Sequence, residues 1–518
     1  MKPSDDLFLL IKSLSSNEKN FFRKKYIALL EDADGNYLKL FNDISKQTIE
    51  ISEYDENEIK EGKYSGKFIK NLSFNKNFLY NFVLNSLADF NKEHKDIFYI
   101  RNLLTQSEIL SDKMLNEQSL KLLQRAEKIS QEKDLHYNNF EVLNFERLIL
   151  RNTTSVEDYI KSSSELFTEQ YDILEIQKNS LDYYRLNETV GIFLRINGSG
   201  KIREKEKLLE FEKIFDTPLL KNIDNAKTFI CRYIFYNLNL QYHLTKENYD
   251  EGYECARLAT ELCRSNIEKL KGKLNNYIYS LSNLMNCQTR AKKFSEFENT
   301  VIELEKIADI YPKMITESNR VFIFYTLAVT RLSKNITDLN IKRLEEIEVD
   351  IQNSISKYED KITLYQRIIL YFFLSVANFI QSKFDNCIYW NSKIFNLGKS
   401  DMSEDYQCYA RILQLLSYFE LKYFDALEYT MKSAYHFISK KKKNYKYENI
   451  IQKYLRRSFR IKTDSELREM FIEMKDELEI IYKDEYEKNA FDAFNIIYWL
   501  ESKIRKIPFV EAIKLGIK

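Results

Sequence analysis

The sequence predicts an all-α fold built as an array of helix pairs, and three observations carry that expectation. Of 518 residues, 10 are Gly and 4 are Pro, where an average chain of this length would hold roughly 60 of the two together. Apolar residues recur at helical spacing along most of the chain. Short turn-and-helix segments return at a regular interval, which is the mark of a repeat architecture. Turn-rich β-sandwiches and enzymes built on glycine phosphate loops are excluded by the shortage of Gly. A hydrophobic fraction of 44% excludes a disordered chain.

The first 95 residues form an N-terminal helical module. Ser15 and Glu18 make an S-x-x-E capping box at the start of a helix that carries Phe21, Phe22 and Tyr26. Gly35-Asn36 breaks the chain, and a second helix runs from Tyr37 through Ile44. A polar stretch follows from Lys46 to Gly66, acidic at first and punctuated by Gly62 and Gly66. Phe68–Leu72, a turn at Ser73 and a long helix from Phe74 to about Phe90 complete the module. In that helix Phe74, Phe78 and Phe82 form one i, i+4 row and Leu79, Val83 and Leu87 another, so a broad apolar face is expected to be buried.

From residue 96 to 518 the chain reads as successive helix pairs. Asn248-Tyr249-Asp250-Glu251-Gly252, Lys292-Lys293-Phe294-Ser295-Glu296, Ser382-Lys383-Phe384-Asp385-Asn386 and Lys422-Tyr423-Phe424-Asp425-Ala426 each begin the second helix of a pair. Their aromatics are 45, 90 and 40 residues apart, a mean period of about 44 if a weak copy lies near Ile336-Thr337-Asp338. Phe324-x-x-Leu327-Ala328 matches Tyr371-x-x-Leu374-Ser375 in the preceding helices. Gly252 with Ala259, Cys387, and Ala426 with Ser433 supply small residues for close packing. From Asp96 to Asp216 the pattern is weaker, although Leu120–Ile129 and Val142–Leu150 remain amphipathic.

These segments resemble the tetratricopeptide repeat (TPR), with its aromatic, its Leu-small pair and its Tyr-Asp-x-small turn. The resemblance covers about residues 233–439 and implies a TPR-like α-solenoid. The period here is longer than the family's, which is about 34 residues. The family's closing Pro has a counterpart only at Pro312, so a HEAT-like or other α-solenoid is the alternative. Leu10-Ile11-Lys12-Ser13-Leu14-Ser15, Asn36-Tyr37-Leu38-Lys39-Leu40-Phe41 and Asn77-x-x-Tyr80-Asn81 resemble an uncharacterised bacterial family of helical-repeat proteins. That second resemblance implies architecture and brings no activity with it.

Charge and chemistry narrow the functional classes. The 79 basic and 78 acidic residues leave a formal charge of +1, so no global field points to nucleic acid or an anionic membrane. Cys231, Cys255, Cys263, Cys287, Cys387 and Cys408 show no C-x-x-C spacing, and the four histidines are scattered, so buried thiols are expected and no metal site. The apolar run Ile368–Ile380 is too short for a membrane span and predicts a buried helix. The acidic start lacks a signal-peptide core, and a cytoplasmic protein is expected. Gly198-Ser199-Gly200 lacks the P-loop pattern and reads as an inter-helix loop. Carboxylate pairs such as Glu345/Glu348 and Glu469/Glu473 read as solvated faces, and Trp390 and Trp499 as core. No catalytic constellation and no cofactor site is expected.

Two features suggest binding. Lys440, Lys441, Lys442, Lys443, Lys446, Lys453, Arg456, Arg457, Arg460 and Lys462 make a basic stretch with Glu448 as its single acid, interleaved with Tyr445, Tyr447, Tyr454 and Phe459. Such a patch can hold phosphates while rings stack on bases. Phe68 to Phe90 has the rhythm of helix-turn-helix, with Asn75, Lys76, Asn77 and Asn81 placed to read base edges; a cap closing the solenoid is the other reading. The expectation is an all-α protein with about eight to ten helix pairs, acting as a non-enzymatic scaffold that grips a protein or peptide on its concave face. The alternative is a nucleic-acid-binding regulator, and an enzyme comes third.

Overall fold

The computed structural model describes residues 5–30, 35–50, 54–62, 64–197, 202, 204–270, 274–312, 314–397, 404–439, 446–484, 486–491 and 494–516. Among these residues it contains α-helices and a few 3-10 turns, with no strand. The chain divides into unit 1, Met1–Gln177, and unit 2, Lys178–Lys518.

Unit 1 opens with α1 (Asp6–Ser13), α2 (Ser16–Leu30), α3 (Asn36–Glu50), α4 (Glu56–Glu61), α5 (Gly66–Lys70) and α6 (Leu72–His94). The expected capping box forms: Ser15 N–H donates to Glu18 Oε2 at 2.8 Å, and Glu18 N–H donates to Ser15 Oγ at 3.3 Å. The polar stretch after Lys46 is more helical than expected. It completes α3 and holds α4, whose first amides, Asn57 and Glu58, are capped by the Asp55 carboxylate. Leu7, Phe8, Ile11, Phe22, Tyr26, Phe41, Ile44, Leu79 and Val83 form one core.

The two apolar rows of α6 have different fates. Leu79 and Val83 are fully buried, whereas Phe74 is 69% and Phe78 41% exposed. Each Phe stands one position before a buried residue, about 100° round the helix. Contacts with α1, α2 and α3 cover the Leu79 face, and Phe74 and Phe78 lie beside it. The change of character at residue 95 coincides with a break, where Lys95 turns extended and ends α6. Then follow α7 (Asp96–Asp112), α8 (Asn116–Glu132), α9 (His136–Thr153) and α10 (Val156–Asn197), which carries the boundary between the units.

In unit 2 come α11 (Lys205–Phe215), α12 (Phe229–Thr245), α13 (Tyr249–Ser265), α14 (Leu274–Arg290), α15 (Phe294–Ile310), α16 (Glu317–Thr337), α17 (Ile341–Tyr358), α18 (Leu364–Ile380), α19 (Phe384–Asn396), α20 (Glu404–Glu420) and α21 (Phe424–Ser439). The chain ends in α22 (Lys446–Ser458), α23 (Asp464–Tyr482), α24 (Ile496–Arg505) and α25 (Phe509–Lys514). Tyr249, Phe294, Phe384 and Phe424 each begin a helix, as the repeat predicts. The missing copy begins at Ile341, after the Ile336-Thr337-Asp338 segment. It falls midway between Phe294 and Phe384 and so keeps the period.

One turn closes these pairs. Ser382 is left-handed at φ +60°, its N–H donates to Phe379 O at 3.0 Å, and Lys383 N–H reaches back to Asn378 O at 2.9 Å. That is the Schellman arrangement, which satisfies the last carbonyls of one helix and reverses the chain. It recurs with left-handed Glu247, Lys292, Leu339 and Lys422, and in unit 1 with Met114 and Asp134. These turns fix the register. Ala328 stands eleven residues before its turn residue and Ser375 seven before its own, so the Phe324 and Tyr371 motifs are one helical turn out of step.

Cys387, Gly252 and Ala259 are buried as expected, but in α21 the buried positions are Leu427, Met431 and Ala434 rather than Ala426 and Ser433. Nearly all of α18 from Ile368 to Ile380 is buried, because α16, α19 and α20 all pack against it. Five of the six cysteines are buried and none forms a disulfide. Trp390 is 2% and Trp499 0% exposed.

Candidate interaction surface

The helices α14, α16, α18 and α20 pack side by side, and each also packs against the helix that follows it. The Schellman turns set this alternation, since each sends the second helix back along the first. The C-terminal ends of this row are covered within unit 2. Phe379 at the end of α18 meets the rings of Phe494 and Phe509 at 5.1 and 5.5 Å. At the end of α20, Phe419 packs on Trp499 at 5.8 Å, and Glu420 accepts from Trp499 Nε1 at 2.6 Å. Lys488 reaches Glu247 in the α12–α13 turn at 2.8 Å.

Further toward the N-terminal ends the same four helices carry Tyr279, Tyr325, Tyr365 and Tyr406. Tyr279 lies tilted against Phe322 with centroids 4.2 Å apart, and Phe322 lies 6.4 Å from Tyr325. Phe372 supports Tyr406 at 5.2 Å. Tyr365 is within electrostatic reach of both Tyr325 and Tyr406. Burial pushes the hydroxyls of Tyr279, Tyr325 and Tyr406 up from the usual phenol range. Among the described residues none of these four hydroxyls makes a hydrogen bond. Tyr279 is 49% exposed and the other three are half-buried. The result is an aromatic floor with unspent phenol groups, an arrangement suited to a protein or peptide surface.

Successive tyrosines of this row are 46, 40 and 41 residues apart, one per helix pair, but they stand 13, 14, 17 and 16 residues before their left-handed turn residues, so the row slips by about one helical turn between α16 and α18. The turn motifs in the sequence therefore do not locate it.

The expected polyanion site fares differently. Lys440, Lys441, Lys442 and Lys443, with Tyr445, lie outside the described residues. So does Gly198-Ser199-Gly200. Lys446 begins α22, and its backbone N–H donates to Glu487 Oε1 at 3.1 Å. Arg457 is paired with Glu473, and Lys453 lies 2.6 Å from Glu477, so α23 answers part of the α22 charge. Arg456 sits over the Tyr435 ring at 4.6 Å, and Arg460 is exposed in the turn after α22. Tyr447 and Tyr454, expected to interleave as stacking rings, are 1% and 2% exposed. Tyr447 donates to Phe494 O at 2.8 Å and Tyr454 to Glu477 Oε1 at 2.8 Å. Helical amphipathicity puts these rings in the core, opposite the charges.

The helix-turn-helix reading also meets specific packing. The turn residue is Asn71, and α6 starts at Leu72. Asn75 is 6% exposed; it donates to Phe68 O at 2.9 Å and accepts from Tyr37 Oη at 3.0 Å. Lys76 is 7% exposed and pairs with Glu56 at 3.1 Å. Both are therefore internal fasteners between α6 and its neighbours. Asn77 and Asn81 are exposed, and Asn81 Nδ2 bonds back to Asn77 O. Asn75→Ala takes the acceptor from the half-buried Tyr37 hydroxyl and one of two donors from Phe68 O, which keeps the Asn71 N–H, and is expected to destabilise the α5–α6 corner by about 1 kcal/mol. Hydrogen exchange there should quicken roughly 5-fold, and unchanged exchange would refute the structural role.

The carboxylate pairs separate as well. Glu345, half exposed, pairs with Lys383 at 2.7 Å, and Glu473 with Arg457. Glu348 is not solvated. It is 5% exposed and accepts from Asn378 Nδ2 at 2.9 Å and Trp390 Nε1 at 3.0 Å. Burial pushes the Cys255 and Cys387 thiols up to about 11 and those of Cys263 and Cys287 up to about 12. No group of His, Cys, Asp and Glu among the described residues could hold a metal ion, and no helix there is long and apolar enough to cross a membrane. No family model, curated protein or solved structure matches the chain.

Proposed function

We propose that this protein is an interaction scaffold in which unit 2 is a TPR-like α-solenoid and the row α14, α16, α18, α20 is its binding face. The observation that carries the reading is the set of tyrosines, one on each of four neighbouring helices, with hydroxyls that no group in the described chain satisfies. Tyrosine gives a large contact area at small entropic cost and offers a hydrogen bond at its tip. The recurrent Schellman turn supports the repeat assignment, because it closes each pair at the same place although the period exceeds that of the tetratricopeptide family. The occupant is a protein or peptide segment whose donors and acceptors meet the phenols.

The test is site-specific photo-crosslinking in the native host. Benzoylphenylalanine replaces Tyr279, Tyr365 or Tyr406 in turn, with Tyr389 of α19, 52% exposed, as the control. One protein adduct common to the three row positions and absent at 389 is the expected result. Equal labelling at 389, or adducts with nucleic acid alone, would overturn the assignment.

A further inference from the structure

A second surface lies in unit 1, where α8, α9 and the first part of α10 meet. Asp134 is the left-handed residue of the α8–α9 turn, and Glu127 and Asn139 stand seven before and five after it. In the α7–α8 turn the same two positions hold Ser107 and Ser119, whose hydroxyls are 2.6 Å apart. The serines face each other across the α7–α8 pair, and Glu127 and Asn139 occupy the equivalent positions of the α8–α9 pair. Glu146 from α9 and Glu169 from α10 complete the group, and all three carboxylates are half-buried.

Donors and acceptors here do not balance. Gln131 Nε2 donates to Glu127 Oε1 at 3.1 Å and to Glu169 Oε1 at 3.2 Å, and Asn139 Nδ2 donates to Glu169 Oε1 at 3.0 Å. No ion pair reaches Glu127, Glu146 or Glu169 among the described residues. Arg147, next to Glu146 in the chain, lies over the Phe167 ring and donates to Asn144 instead. Burial, and after it the mutual repulsion of the carboxylates, pushes Glu127 and Glu146 up from the ordinary range. Independently of the acids, Asn139 is 5% exposed and its Oδ1 has no partner, although the same carboxamide reaches Glu169. A buried acceptor left empty costs about 1–3 kcal/mol unless something donates to it.

We propose that Glu127, Glu146, Glu169 and Asn139 form a binding site for an arginine side chain presented by a peptide partner. The cluster offers acceptors from three helices, while no three carboxylates converge enough to hold one metal ion. A guanidinium matches that spread, because it carries five N–H donors in a rigid planar fork and is weakly hydrated for a cation. The peptide origin rests on the scaffold reading; the site itself does not, since it lies in unit 1 and is probed without any partner.

The experiment is calorimetric titration of the full chain with N-acetyl-argininamide, N-acetyl-citrullinamide and calcium chloride. Argininamide is expected to bind at least tenfold more tightly than the neutral citrulline isostere. Glu146→Gln with Glu169→Gln should weaken it at least tenfold, while Glu141→Gln, at an exposed acid on the same helix, should leave it unchanged. The glutamine variants remove repulsion and should melt no earlier than the parent, which separates loss of binding from loss of fold. Equal binding of the two amides, no binding of either, retention of binding in the double variant, or tighter binding of calcium would each overturn the proposal. Failure here leaves the tyrosine crosslinks intact, and failure of those crosslinks leaves argininamide binding intact, so the two readings are separable.

Discussion

Glu348→Ala is expected to cost unit 2 about 3–5 kcal/mol of stability. Glu348 is 5% exposed in α17, where its Oε1 collects the Asn378 amide from α18 and the Trp390 indole N–H from α19. Three successive helices of the array thus meet on one carboxylate oxygen. Removing it strands two buried donors, each costing about 1–3 kcal/mol, and leaves a void in a core that includes Leu374, Trp390 and Ile351. Glu348→Gln should behave differently. The glutamine oxygen can still accept from both donors, and its amide can donate to Asn378 Oδ1, which is buried without a partner. The expected loss is therefore under about 1 kcal/mol. Both tryptophans, Trp390 and Trp499, lie in unit 2. Their fluorescence during urea unfolding reports on this unit alone. A midpoint for Glu348→Ala within error of the parent would show that the carboxylate is not a structural hub, and equal losses for Ala and Gln would show that its charge rather than its oxygen matters.

That hub illustrates what local sequence conveys. Glu345/Glu348 and Glu469/Glu473 are both acid pairs at helical spacing, and nothing within a few residues tells them apart. The distinction comes from Asn378 and Trp390, 30 and 42 residues further on, which depend on how the helices stack. Where one short segment decides the outcome, the reading was good. The run Ile368–Ile380 declared a buried helix because it is apolar on every side, and Ser15 with Glu18 declared a helix start because both halves of the box are three residues apart. Where two segments compete for one face the sequence was silent. In α6 either the Phe row or the Leu row could turn inward, and contact with α1 to α3 chose Leu79 and Val83. The second-helix starts were legible through their aromatics, yet the third of the five is Ile341, which lacks the ring. The tyrosine row was not legible by the repeat period, because its distance from the turns changes by about one helical turn between α16 and α18. The acceptor cluster in unit 1 was not, because Glu127, Glu146 and Glu169 are ordinary surface acids until three helices bring them together.

The turns themselves carry the second large effect. Lys292, Ser382 and Lys422 hold φ of +56°, +60° and +59°, a conformation that costs an L-residue roughly 1–2 kcal/mol against its neighbouring minima. The Schellman hydrogen bonds compel it, since only a left-handed residue lets the next N–H reach back to the carbonyl five before it. Glycine adopts this φ without the clash, although its extra freedom in the unfolded chain returns about 0.4–1 kcal/mol of the gain. Each Gly substitution is therefore expected to stabilise unit 2 by about 0.5–1 kcal/mol. The three sites close different helix pairs and share no partner, so their effects should add to about 2 kcal/mol. Glu247 and Leu339 are poorer choices, because Glu247 holds Lys488 and Leu339 packs on the core. The opposite change sharpens the test. Ser382→Val places a branched side chain where φ is positive and should lose about 2 kcal/mol. A triple-glycine variant with an unchanged urea midpoint, or a valine variant that is neutral, would mean that these turns are not left-handed and that the register built on them, including the spacing of the tyrosine row from its turns, has to be redrawn.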